Sequence, residues 1–195
     1  TNYGVFIQAS SNDTIVLNNN ITSGGSGSTN IGVQIITSSF RNNLTRNRIT
    51  TGGTSSNEGV RVTTDSSANV ADRNNITTTG TGASNFGIYL FTRATSNNIT
   101  NNIINTSGTT DNYGIDLETS VNNSIVLNNT VMSGGSGAGN FGIIVRSRSF
   151  FNNVTHNRVS NATGTSDVYS VYLLDNGDIN NVEYNNLTSS GTGNN

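Results

Sequence analysis

Arg61, Tyr89 and Asp116 stand 28 and 27 residues apart. If the chain repeats at that interval, a guanidinium, a phenol and a carboxylate fall in one line on one surface. With Phe91 nearby they would form a strip suited to carbohydrate, in which rings cover sugar faces and polar groups bond the hydroxyls. The same residue types also make an ordinary mixed outer face. Two further pairs share the interval: Asp65 precedes Arg93 by 28 residues, and Glu118 precedes Arg146 by 28. Opposite charges so placed would form cross-strand ion pairs. Asp175 and Asp178, in the run DNGD, read as catalytic carboxylates or a calcium site, or simply as a turn. The single histidine, His156, has no second histidine and no cysteine to complete a metal site. The acids, eight aspartates and three glutamates, are mostly dispersed and do not gather into the pair that a glycosidase needs.

The interval has a structural cause. A glycine precedes a β-branched residue at Gly4, Gly32, Gly59, Gly87, Gly114 and Gly142, and Ser170 takes the seventh place. The spacings are 28, 27, 28, 27, 28 and 28, so the chain is seven copies of one unit. Apolar residues stand one, three, twelve and seventeen positions after each glycine, as Ile88, Leu90, Ile99 and Ile104 do in the fourth unit. Every such position is Val, Ile or Leu except Ala71. The alternation of the first two columns and the β-branched side chains indicate strands.

Fifteen residues after each glycine the residue is always asparagine: Asn19, Asn47, Asn74, Asn102, Asn129, Asn157 and Asn185. Asparagine is poor in helices and depleted in strands, so its invariance points to a bend between two short inward strands. Stacked coils would also stack these amides into a hydrogen-bonded ladder. A second asparagine column lies two residues before the glycine (Asn2, Asn30, Asn57, Asn85, Asn112, Asn140) and is broken at Val168. Between it and the glycine runs a mostly aromatic column that ends in Phe86, Tyr113, Phe141 and Tyr169, four rings that could stack along the axis.

Composition narrows the function classes. The formal net charge is −2, all nine basic residues are arginine, and no basic run occurs, which argues against nucleic acid as a partner. No cysteine is present, and no apolar stretch approaches a membrane span. Return segments rich in Gly, Ser, Thr and Asn disfavour the helix that a leucine-rich repeat would use, and the nonapeptide of calcium-binding rolls is absent. The expected fold is all-β: a right-handed, single-stranded parallel β-helix of seven coils, spanning 1–195 as one domain, either a segment of a longer chain or a stacking subunit. No cofactor is implied.

The run GIYLFTRATSNNITNNII (Gly87 to Ile104) resembles the repeats of right-handed parallel β-helix proteins of the pectate-lyase-like superfamily, in their Asn-rich form. The resemblance extends over all seven units. It implies fold strongly and function weakly, because that scaffold carries lyases, hydrolases, epimerases, adhesins and inert spacers. It also implies an extracellular or cell-surface setting. The residues favour a non-catalytic stiff element of a surface protein, adhesin or filament, with self-association through open end coils. The alternative is a polysaccharide-binding or polysaccharide-degrading β-helix. Asn20, Asn43, Asn75, Asn98, Asn153 and Asn186 lie in Asn-x-Thr sequons and are expected to face outward as candidate glycosylation sites.

Overall fold

A computed structural model describes residues 1–161, 164–175 and 179–192. The described residues form a parallel β-solenoid without helices: 21 strands in three parallel sheets of seven. In the first coil the strands are Asn2–Ile7, Ile15–Leu17 and Asn20–Gly24, one for each sheet. Each strand pairs with its counterpart one coil away, in the register that the repeat interval dictates: Ile88 faces Ile115, Ile99 faces Val126, and Ile104 faces Val131. The four apolar columns fill the interior as one continuous core, which leaves Leu173 and Leu187 of the seventh coil exposed. No helix among the described residues is long and apolar enough to cross a membrane.

The invariant asparagines form the expected ladder, and its geometry explains their invariance. Asn102 uses its whole hydrogen-bonding capacity of two donors and two acceptor positions. Its Oδ1 accepts from the backbone N–H of Asn74 at 2.9 Å and from Asn74 Nδ2 at 3.0 Å. Its Nδ2 donates to the Ala71 carbonyl at 2.8 Å and to Asn129 Oδ1 at 3.0 Å. A corner inside a solenoid leaves backbone groups that no strand can pair and no water can reach; this amide takes them up. The second column makes a similar stack, buried from Asn30 to Asn140 and exposed at Asn2, with amide-to-amide bonds of 2.7 to 3.0 Å.

A third ladder, which the column reading does not single out, stands ten residues after the glycine. Asn42 donates to Asn69, and Asn69 to Asn97; Ser124 interrupts the asparagines, and Asn152 and Asn180 continue them. The signal was present in the Asn-Asn doublets. In Asn42–Asn43, Asn97–Asn98 and Asn152–Asn153 the first residue is buried in the ladder and the second is the outward sequon asparagine. The bend itself also sits one residue earlier than the invariant asparagine. The left-handed residue is its predecessor, Asn18, Arg46, Arg73, Asn101, Asn128, His156 or Tyr184, with φ of 53–57°. These side chains project outward, which is how bulky residues occupy such corners.

One core slot is underfilled. Around Ala71, where other coils carry Val, Leu or Ile, a small apolar cavity is lined by Ile35, Leu44, Val60, Val62 and Ile99. Replacing Ala71 with Val should raise the unfolding free energy by about 1 kcal/mol, measured by urea denaturation; a loss would show the neighbours already closed over the slot. Asn102→Ala strands buried partners in two coils and should cost about 3 kcal/mol or more. Asn101 bonds only partly exposed or exposed groups, Asp72 and Asn128, and has φ of 57°. Its replacement by Gly, which keeps the corner, should change stability by less than about 1 kcal/mol. Equal losses at positions 101 and 102 would contradict the ladder assignment.

Candidate functional site

The first sheet departs from simple alternation, and that departure builds the site. Strand pairing skips the glycine in every coil: Phe86 faces Tyr113 and Ile88 faces Ile115, with Gly87 and Gly114 unpaired between them. A Cβ added at Gly87 would lie 2.2 Å from Ile104 Cγ2 and 2.5 Å from the Gly114 carbonyl oxygen. Only glycine allows coils to stack that closely. Because the chain turns over at this residue, the side chains one before and two after it both emerge on the outer face and touch. Tyr3 lies on Phe6 with centroids 4.6 Å apart, Phe86 on Tyr89 at 4.9 Å, and Tyr169 on Tyr172 at 4.9 Å.

Two parallel rows therefore run along the solenoid axis. The first row contains the rings of Phe86, Tyr113, Phe141 and Tyr169, with successive centroids 5.0, 5.1 and 5.7 Å apart, all stacked. The second contains Gln34, Arg61, Tyr89, Asp116, Ile144 and Tyr172. Tyr113, Phe141 and Ile144 make a small apolar cluster outside the main core, with Phe86, Tyr169 and Tyr172 packed on it. Over coils five to seven the two rows border a groove of about 410 Å3, lined also by Asp111, Gly139, Arg146 and Asp167.

The three residues of the candidate strip, Arg61, Tyr89 and Asp116, do share one row, but they do not form an open one. Asp116 is 0% exposed and Tyr89 is 8% exposed. Asp116 Oδ2 accepts from Arg146 Nη2 at 2.7 Å, and Arg146 Nη2 also reaches Glu118 Oε2 at 3.0 Å. Tyr89 donates its hydroxyl to Glu118 Oε2 at 2.5 Å. Arg146 lies 5.4 Å over the Tyr113 ring and Arg61 lies 5.7 Å over the Tyr89 ring. Glu118 and Arg146 thus pair as their spacing indicates, within a four-residue cluster. Asp65 and Arg93 also pair, bidentate and exposed, at 2.5 and 2.9 Å.

Burial dominates the electrostatics. It pushes the Asp116 carboxyl up to about 7 against the opposing pull of Arg146, and it pushes Glu58 up to about 7 against Arg61. Tyr89 is held above the usual phenol range by burial and then by its bond to Glu118. Glu58 occupies the aromatic column's slot in the third coil, 3% exposed and 3.4 Å from Arg61 Nη1. Its part in the site follows from the contact between the two rows.

The remaining candidates are scattered. Asn20, Asn43, Asn75 and Asn186 are exposed, and Asn98 and Asn153 are half-buried. His156 lies 5.1 Å from Tyr184 at an outer corner. Asp175 is exposed in the seventh coil, and Asp178 lies outside the described residues. Among the described residues no three His, Asp or Glu side chains converge as a metal site would require.

No protein-family model matches the chain, and no curated protein matches it. Two solved structures do, both of the periplasmic alginate epimerase AlgG. A point mutant of that enzyme superposes with a TM-score of 0.66 at 16% identity, over 96% of this chain and 48% of the epimerase. The other structure gives 0.63 at 15%, over 98% and 47%. What they share is the fold. It is a parallel β-helix. The chain spans about half the length of the epimerase it matches.

The buried acids make a prediction about pH. In the unfolded chain Asp116 and Glu58 release their protons near 3.8 and 4.5, whereas the folded form holds them to about 7. Between those limits the folded state binds more protons, so stability falls as pH rises and the loss is complete above about 7. Thermal unfolding should therefore occur at a higher temperature at pH 5 than at pH 8. Asp116→Asn should remove part of this slope, on the order of 1–3 kcal/mol. A slope unchanged in that variant would show Asp116 to be ionised throughout.

Proposed function

We propose that this chain is a polysaccharide-binding β-helix module that works outside the cytoplasm through the outer face of its first sheet. The observation that carries the reading is the aromatic stack beside an open groove, in which Tyr113, Phe141 and Tyr169 supply one ring per coil. A polymer laid along the axis meets ring edges in successive coils, nearly covered at Tyr113 and Phe141 and half-buried at Tyr169 and Tyr172, an arrangement that suits repeating sugar units better than a compact ligand. The fold neighbours, described as a periplasmic alginate epimerase, support a polysaccharide partner and an extracytoplasmic setting. They favour this reading over a purely structural element.

Binding without turnover fits the geometry better than catalysis. A general acid or base must come within hydrogen-bond reach of the proton it moves. Asp116 is wholly covered, and its carboxylate is engaged by Arg146. Glu118 is engaged by both Tyr89 and Arg146. The cluster holds the face rigid and fixes the Tyr113 ring beneath Arg146.

Calorimetric titration with neutral, uronic and amino polysaccharides tests the proposal. Binding of at least one class is expected, weakened about tenfold or more by Tyr172→Ala, a half-buried ring of the groove, with an unchanged melting temperature as the control for folding. Absence of binding to every class would contradict it. Turnover abolished by Asp116→Asn would replace it with an enzymatic role.

A further inference from the structure

The charges around this groove indicate which polysaccharide it accepts. We propose, building on the binding role above, that its ligand is a cationic amino-sugar polymer of the glucosamine type, and not a uronate like the alginate named for the fold neighbours. The outer face carries Glu58, Asp111, Asp116, Glu118 and Asp167 against only Arg61 and Arg146. Arg146, the arginine of the groove, is engaged by both Asp116 and Glu118, and Arg61 sits on Glu58 in the third coil, away from the groove of coils five to seven. With Glu58 and Asp116 protonated, three carboxylates still face two guanidiniums. Just beyond the groove wall, Arg148 and Asp175 lie one coil apart with opposite charges and leave the balance unchanged. A uronate chain entering here meets like charge in the fifth and seventh coils, at Asp111 and Asp167, whereas an ammonium-bearing chain meets opposite charge there.

The local geometry supplies places for the ammonium groups. Asp111 and Asp167 occupy the same slot, three residues before the glycine position, in the fifth and seventh coils, and Gly139 holds that slot between them. At a strand spacing of ~4.8 Å their backbones stand roughly 9.6 Å apart along the axis. A side chain at Gly139 would begin 2.3 Å from Asp111 Oδ1, and its φ of 70° disfavours any residue with a Cβ. The glycine leaves room for the Asp111 carboxylate, which lies against it. The rings of Tyr113, Phe141, Tyr169 and Tyr172 line the same groove. Aromatic rings attract cations, as the two arginines over Tyr89 and Tyr113 demonstrate, and in this stack the half-buried Tyr169 and Tyr172 at its end are the rings an ammonium group can reach.

The test is titration of the whole chain, in mildly acidic buffer, with three oligosaccharides matched in length: glucosamine oligomers, their N-acetylated counterparts, and alginate oligomers. Glucosamine oligomers should bind at least tenfold more tightly than the acetylated form, with an affinity that falls as salt rises, and alginate should bind most weakly. The double variant Asp111→Asn, Asp167→Asn should lose that tenfold preference while its melting temperature stays unchanged. Equal affinity for the amine and its acetylated form, or tighter binding of alginate, would overturn the amino-sugar assignment and leave the binding role standing. Failure of all three to bind would overturn both.

Discussion

The asparagine side-chain amide is the interaction on which every coil depends. A solenoid with short strands must turn the backbone three times per coil within a dry interior, and each turn leaves N–H and C=O groups that the sheets cannot pair. Leaving such groups unsatisfied costs more than a typical hydrogen bond contributes. A primary amide resolves this because its two donors and two acceptor positions serve the corner below, the corner above and the neighbouring amide at once. The repeat translates every asparagine onto its own copy, so satisfying one coil satisfies them all. That accounts for a chain with mean hydropathy of −0.35 and 31% hydrophobic residues that nonetheless folds around a continuous apolar core.

The second constraint is the glycine of the first sheet. It lets adjacent coils approach where a Cβ would strike the next carbonyl, and at the same point it reverses the alternation of side chains. Two rows of outer residues are thereby brought together instead of one. Residues that any strand pattern would assign to solvent, Asp116 and Tyr89 among them, become buried. The same event raises the carboxyl pKa of Asp116 and Glu58, closes the Arg146 cluster and borders the groove with rings. Fold and candidate site are consequences of one backbone irregularity repeated along the axis.

Much of this was legible in the sequence, because a repeat supplies its own comparison. The four apolar columns, the invariant asparagines and the pairs Asp65–Arg93 and Glu118–Arg146 follow from tabulating coils against one another, and register follows from the interval. The third ladder was hidden because Ser124 interrupts it and because its asparagines adjoin outward ones in doublets. The site was less legible. Periodicity relates residues within a column and not between columns, so neither the contact between the row of Phe86 and the row of Tyr89 nor the burial that follows is visible in it. Glu58 lay in a column that otherwise reads as mostly aromatic. A carboxyl there reports a local environment, and periodicity carries no information about that.

If the amide ladders hold the coils together, the backbone N–H groups they receive should be among the best protected in the molecule. Native-state hydrogen exchange of Asn74, Asn102 and Asn129, whose N–H groups donate only to the side chain of the next coil at 2.9 Å, measures this directly. The account predicts that they exchange only through global unfolding, as slowly as the central strand residues Ile88 and Ile115. Exchange as fast as that of the exposed corners would mean that the ladders follow the fold and do not hold it, and would contradict the account.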